Sequence, residues 1–354
     1  MQRILITGGA GFVGANLAIN FAKNANFKVI CLDNLRRRGS ELNVPRLKTH
    51  GIEFVHGDVR QAQDLFEIHA VDWLIECSAE PSVHAGYHQS PKYLLDTNLN
   101  GLINCLEYLR QKGGKLIFLS SSRVYPIHSL RSLPLVPKNG RFCLDIKTPT
   151  PGLSEQGLDE SFPLAGFRSL YGATKLASEL LIEEYVHMYQ LQATVNRCGV
   201  IAGPWQMGKV DQGFMALWVA QHLFEGKLSY MGFGGEGLQV RDVLHVDDLF
   251  ELIYLQMHDL HAKPYDMFHI AGGLKNSVSL LELTQMVQAI TNKKCVISCD
   301  PNTRDADIPF YVADISKAKS QYNWQPTREV EKIVVEITEW LNHNQKILKP
   351  MFLN

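Results

Sequence analysis

The apolar run at residues 2–7 ends in Gly8-Gly9-Ala10-Gly11-Phe12-Val13-Gly14, and helix-like amphipathic spacing follows through Leu17, Phe21 and Ala22. No other stretch restricts the fold as much. A strand, a glycine turn and a helix in this order are the context in which Gly-x-x-Gly-x-x-Gly marks a dinucleotide site. Gly8 permits the tight turn, Gly11 lets the backbone approach a pyrophosphate, and Gly14 lets the helix pack closely on the sheet. The helix N-terminus at Phe12 and Val13 offers free N–H groups and a partial positive charge to the phosphates.

The alternation of strand and helix continues along the chain. Residues 28–32 read as a second strand ending in Asp33-Asn34, about twenty positions after Gly14, where a carboxylate accepts both ribose hydroxyls of an adenosine. A carboxylate there repels a 2′-phosphate and favours NAD over NADP; the following Arg36-Arg37-Arg38 reads by default as a solvated loop, with pairing of one arginine to a 2′-phosphate as the alternative. A third strand, 53–56, leaves Asp58-Val59 at its tip, where an adenine amino group would be met. A fourth, 72–77, leads to Ser78-Ala79, and a fifth, 115–119, delivers Ser120, Ser121 and Ser122 to its carboxyl end. This pattern predicts an α/β fold, a Rossmann-type doubly wound parallel sheet with ligands at the strand tips. Residues 1–197, with 238–272 returning, are expected to form the NAD-binding domain, and 198–237 with 273–354 a smaller C-terminal substrate-binding lobe. The proline-rich connection at 127–168 is longer than an ordinary loop and is expected to be a substrate-side lid.

Composition narrows the class. With 354 residues, 45% of them hydrophobic, the chain buries a large core, and a net charge of −1 advertises no basic face for nucleic acid or anionic membrane. Seven cysteines without a paired framework suggest reduced thiols. His84 and His88 lack the further ligand a metal site needs, so no metal is expected. No signal-like or membrane-spanning run is present, and a cytoplasmic location is the expectation.

Tyr171 and Lys175 stand four apart in a helix-like segment and share a face. An ammonium beside a phenol favours tyrosinate, which supplies a base for an alcohol proton near neutral pH. Spacing alone does not select this pair, because Tyr108 and Lys112 have the same interval. Order along the chain does. Lys112 closes the helix before the fifth strand and favours its negative end, whereas Tyr171 opens the helix after it and can reach back towards Ser121.

Together, Gly8–Gly14, Asp33, Ser121, Tyr171, Lys175 and Arg241-Asp242-Val243-Leu244-His245-Val246-Asp247-Asp248 resemble the extended short-chain dehydrogenase/reductase family of nucleotide-sugar enzymes. Asn196-Arg197-Cys198-Gly199, Asp211-Gln212-Gly213 and Gly232-Phe233-Gly234-Gly235, with the long insert, look like its CDP-paratose 2-epimerase group. The resemblance implies that Tyr171 is the base, that Lys175 tunes it and holds the nicotinamide ribose, and that Ser121 hydrogen-bonds the reacting sugar oxygen. It implies Asn98 in the helix that supports Lys175, Ser120 on the cofactor side, and Ser122, Arg123 and Asn196 on the substrate side. Arg241 and Arg304 would face the substrate pyrophosphate, with Asp307 nearby. It also implies a CDP-sugar substrate and a homo-oligomer formed through the helices at 91–111 and 171–189.

Two departures matter. Dehydratases of this family carry Asp-Glu after the active-site Ser/Thr; Ser122 and Arg123 stand here, which argues against elimination of water. Glu76-Cys77-Ser78-Ala79 replaces the His-x-Ala-Ala of many relatives and leaves those cofactor contacts open. A 4-epimerase, a net nucleotide-sugar dehydrogenase or reductase, and a non-catalytic dinucleotide-binding protein stay as alternatives.

Overall fold

Strand β1 (Gln2–Thr7) is apolar along its length, and Ile4, Leu5 and Ile6 are fully buried, as expected of a central strand covered on both faces. In the computed structural model, which describes residues 1–209, 212–259 and 261–353, β1 is followed by α1 (Phe12–Ala22) and β2 (Phe27–Asp33). Next come β3 (Glu53–His56), β4 (Trp73–Glu76), α2 (Gly101–Lys112) and β5 (Lys115–Ser121). Then α3 (Leu170–Tyr189), β6 (Gln192–Cys198), α4 (Val246–Met257) and β7 (Tyr265–Ile270) complete the main layer. The seven strands form one sheet in the order β7-β6-β5-β4-β1-β2-β3. From β6 to β3 each neighbouring pair runs parallel. The order reverses at β1 and β4, where ligands of doubly wound sheets sit beyond the carboxyl ends of the strands.

One core cluster joins Leu5, Ile30, Leu74 and Phe118 of the sheet to Leu102, Leu106 and Leu109 of α2 and Ile182 and Val186 of α3. Each such aliphatic side chain contributes about 1.5–3 kcal/mol on burial. The helix expected over 91–111 is divided. Residues Lys92–Leu95 are α-helical, Asp96–Asn100 make a π-helical turn, and α2 follows. The fifth strand runs two residues further than expected, because Ser120 and Ser121 pair in register with Arg197 and Cys198.

The chain divides into two compact units: Met1–Val124, Ser169–Cys198 and Leu249–Phe268 form the first, and Tyr125–Arg168, Gly199–Asp248 and His269–Asn354 the second. Of residues 238–272, expected to return to the NAD-binding domain, Leu249–Phe268 lies in the first unit and the flanking stretches lie in the second. The strand Val240–His245 pairs with Val200–Ala202, Ser277–Ser279 and Phe310–Tyr311, all within the second unit. That unit also holds the parallel pair Lys227–Met231 and Val296–Asp300 and the packed helices Phe214–Leu223, Leu280–Thr291 and Val330–His343.

Residues 127–168, expected as a lid, are bonded into the second unit. The hairpin Leu135–Lys138/Arg141–Leu144 turns at Asn139 and Gly140, both at positive φ. Ser279 Oγ donates to the Gly140 carbonyl at 2.8 Å, and Arg141 pairs with Glu282 at 3.4 Å. Further on, Leu158 N donates to Val312 O at 2.9 Å and Asp314 N to Leu158 O at 2.7 Å. Among the described residues no helix is long and apolar enough to cross a membrane.

Candidate active site

The glycine turn is shaped by close backbone approaches. Gly8 has φ +64°, and a Cβ there would lie 2.8 Å from the Cys77 carbonyl at the tip of β4. A Cβ on Gly14 would lie 2.3 Å from the Gly8 oxygen, so α1 seats against the turn only with glycine at that position. No side chain caps α1, which leaves its first-turn N–H groups at Phe12, Val13 and Gly14 to a ligand. At the tip of β2, Asp33 accepts from Ala10 N at 3.0 Å and from Leu35 N at 2.8 Å. Burial pushes its carboxyl up, against the backbone bonds from Leu35, Ala10 and Gly11. Each carboxylate oxygen has room for a second bond, so the ribose role remains compatible with this geometry.

Asn34 donates to Asp58 at 2.9 Å, and Arg60 closes on the same carboxylate at 2.6 Å. Burial works to raise Asp58, but Arg60 and Asn34 outweigh it and hold it at about 2. Val59 is buried, and its carbonyl accepts from Asn104 at 2.8 Å. Arg36, read from sequence as part of a solvated loop, lies 4.0 Å above the Tyr93 ring, with Arg60 4.8 Å from the same ring. Ser78 and Ala79 lead away from β4, and Ser78 hydrogen-bonds the Glu76 carboxylate. Glu80 N then donates to Asn98 Oδ1 at 2.8 Å, while Asn98 Nδ2 donates to Glu80 O at 3.2 Å. Asn98 sits in the π-helical turn and also reaches Thr174 at 3.3 Å, one residue before Lys175. An uncapped helix end behind a turn whose Gly8 and Gly14 leave no room for a Cβ, beside a carboxylate at the tip of β2, suits a dinucleotide. NAD would be held by Gly8–Gly14 and Asp33.

Ser169 caps α3 by accepting from Gly172 N, which sets Tyr171 in the first turn. Tyr171 is 9% exposed, and Lys175, one turn on, is 3% exposed. Lys175 Nζ donates to Leu119 O at 2.8 Å, lies 4.4 Å from the centre of the Phe118 ring and stands 3.7 Å from Glu76 Oε2. Ser121 closes β5, and its Oγ accepts from Arg123 N at 3.1 Å across the short 3-10 turn Ser122–Val124. Ser121, Tyr171 and Lys175 thus come from the carboxyl end of β5 and the start of α3, within one unit. The competing pair is occupied elsewhere. Tyr108 donates to His69 O at 2.9 Å, and Lys112 donates to Phe66 O at 2.6 Å and Ile68 O at 3.1 Å. Both tie α2 to the segment before β4.

Two expected contacts are corrected. The Ser120 side chain does not face a ligand, because successive strand residues point to opposite faces. Its Oγ donates to Glu179 Oε1 at 2.5 Å, and Glu179 is paired with Arg197 at 2.7 Å in a buried network. Asn196 is fully buried and exchanges two amide hydrogen bonds with Gln256, each 2.9 Å, so its side chain is not offered to a substrate.

In the second unit, Arg241 donates to Val240 O at 2.7 Å and Ile308 O at 2.6 Å. Arg304 grips Asp307 through two bonds of 2.9 and 3.1 Å. Sequence reasoning missed Arg131, which donates to the carbonyls of Asp307, Arg304 and Asp305 at 2.9, 2.7 and 3.1 Å and fixes the turn that carries Arg304. Gly213, at φ +74°, starts the helix Phe214–Leu223; Asp211 lies outside the described residues.

The doubly wound sheet and the glycine turn with its β2 carboxylate define a Rossmann-like α/β architecture, with Ser121, Tyr171 and Lys175 beside β5. The model of the NAD dependent epimerase/dehydratase family matches residues 4–271, and the chain belongs to that family, whose cofactor is NAD. It is 30% identical over 349 residues to a CDP-paratose 2-epimerase from Salmonella typhi, covering 96% of this chain and 99% of the relative. It is 28% identical to a UDP-glucuronate 4-epimerase from Thermodesulfobacterium geofontis, covering 99% of each. The fold is similar to that of UDP-glucuronic acid 4-epimerase from Bacillus cereus, solved with UDP-glucuronic acid and NAD. The TM-score is 0.77 and the identity 21%, over 96% of this chain and 99% of that one.

Proposed function

We propose that this protein is an NAD-dependent nucleotide-sugar epimerase that inverts C2 of a CDP-linked 3,6-dideoxyhexose, interconverting CDP-paratose and CDP-tyvelose. The observation that carries the reading is the Ser121-Tyr171-Lys175 set followed by Ser122-Arg123, where no carboxylate stands to eliminate water. Full-length likeness to a CDP-paratose 2-epimerase supports the choice of sugar.

Tyr171, with Lys175 one turn further along the same helix, takes the proton of the C2 hydroxyl as that carbon becomes a ketone. Ser121 donates a hydrogen bond to the same oxygen and holds it for transfer in both directions. NAD, held by Gly8–Gly14 and Asp33, would supply the hydride acceptor and donor, and inversion would follow once the planar keto sugar presents its other face. Tyr171 then gives its proton back, so the cycle closes without net oxidation. Arg241 and Arg304 would hold the pyrophosphate, with Arg304 oriented by Asp307. NAD retention from cycle to cycle suits this scheme, and self-association through the helices at 91–111 and 171–189 is the expected assembly.

The test is substrate deuterated at C2 or at C4, offered as CDP-paratose and as UDP-glucuronate. Epimerisation of CDP-paratose at C2, with the label passing through bound cofactor, is the expected result. Turnover of UDP-glucuronate at C4 alone would replace it with a 4-epimerase, a reading favoured by the 28% identity to such an enzyme. Stoichiometric consumption of free NADH would indicate a net reductase.

A further inference from the structure

Strand β4 is apolar up to its last residue, Glu76, which is 3% exposed and pairs in register with Thr7 of β1 and Phe118 of β5. A carboxylate at the centre of a buried sheet is costly unless an opposite charge meets it. Glu76 Oε2 stands 3.7 Å from Lys175 Nζ; burial pushes the Glu76 carboxyl up, and Lys175, together with hydrogen bonds from Ser78, opposes that rise. Lys175 is in the same position from the other side. Its ammonium is buried with one carbonyl, Leu119 O, and the Phe118 ring as its other neighbours. A buried ammonium without an anion tends to lose its proton, and a neutral lysine no longer favours tyrosinate.

We infer that Glu76 is the counter-ion that keeps Lys175 charged and directed at Tyr171, a positioning residue that acts on the base from behind the lysine. This rests on the reading of Tyr171 and Lys175 as the proton-transfer pair. The other titratable groups around the two charges are thiols: Cys77 beside Glu76, Cys198 on β6 and Cys105 on α2. Burial raises all three, Cys198 to about 12, so they stay neutral. The nearby Glu179 and Arg197 satisfy each other. Among the described residues, Glu76 is the carboxylate that stands within ion-pair distance of Lys175, at 3.7 Å.

The experiment follows Tyr171 ionisation by tyrosinate absorbance against pH in the purified protein with NAD. Each protein is subtracted from its Tyr171→Phe counterpart so that the other tyrosines cancel. Glu76→Gln is expected to raise the Tyr171 midpoint by about one pH unit or more, in the same direction as Lys175→Met. An unchanged or lowered midpoint in Glu76→Gln, with a raised one in Lys175→Met, would overturn the role of Glu76 and leave the Tyr-Lys pair standing. No shift in Lys175→Met would overturn the pair itself and the inference with it. Should Glu76→Gln fold too poorly to titrate, the double variant Glu76→Gln/Lys175→Met decides, because removing both charges relieves the stranded one. A denaturation midpoint above that of Glu76→Gln is expected; one at or below it refutes the ion pair.

Discussion

Tyr171 and Tyr108 have the same sequence interval to a lysine, yet their hydroxyls meet different surroundings. Tyr108 spends its hydroxyl on the His69 carbonyl, whereas Tyr171 lies in the first turn of α3, one turn from a lysine held between a carbonyl, a ring and a carboxylate. Tyr171→Phe should lower turnover by about 10²–10⁴-fold and leave NAD bound, read by steady-state kinetics and by cofactor released on denaturation. Normal turnover in that variant would remove the proposed base. The same reasoning separates Asn196 from the site. With its amide locked to Gln256, Asn196→Ala strands a buried amide and should cost roughly 1–3 kcal/mol of stability. Chemical denaturation would measure it, and a large KM effect at full stability would restore the substrate role. The motif named Asn196 correctly and misjudged what it does, because a buried amide pair links residues sixty positions apart and leaves no mark on either local sequence.

At the scale of elements, the turn between β1 and α1 was legible because its glycines are needed for steric reasons alone. Gly14→Ala would drive a Cβ into the Gly8 carbonyl. The helix would have to move, at about 1–3 kcal/mol, and NAD titration should show weakened binding along with a lower melting temperature. Retained affinity would mean that α1 tolerates the shift. The 304–307 turn was less legible. Arg304 and Asp307 form a short motif, but the residue that fixes their turn, Arg131, lies more than a hundred and seventy positions away within the second unit. Arg131→Ala should raise the KM for the nucleotide sugar about tenfold, equivalent to about 1.4 kcal/mol, with kcat nearly unchanged. A fall in kcat at constant KM would contradict a role in binding.

For the molecule as a whole, stability should carry a pH dependence from Asp242. It is fully buried in the second unit and accepts from Ala313 N at 2.8 Å. Burial, only partly opposed by backbone bonds from Ala313 and Gly273, raises its carboxyl from 3.8 to about 7. The folded state then holds a proton that the unfolded chain releases. The contribution is full below about pH 4 and is lost as pH rises through about 7, on the order of 4 kcal/mol at the upper limit. Asp242→Asn should flatten this slope in urea denaturation series near pH 5 and near pH 8; an unchanged slope would place the titration elsewhere. The sequence motif identified Asp242 only as one letter in a run, and its charge state depends on burial that the run does not contain.

Short-range chemistry settled the β1–glycine–α1 unit, the carboxylate at the β2 tip, the order of strands and helices and the placing of Tyr171 after a serine-bearing strand. Each is dictated by backbone sterics or by periodicity over a few residues, and both are written locally. Long-range packing settled the rest. It assigned the strand Val240–His245 to the second unit, bonded residues 127–168 into that unit, turned Ser120 towards Glu179 and brought Glu76 to Lys175. These outcomes depend on which distant groups share a buried volume. There an unpaired charge or amide is expensive, so the partner found in space, rather than the neighbour in sequence, sets what each residue can do.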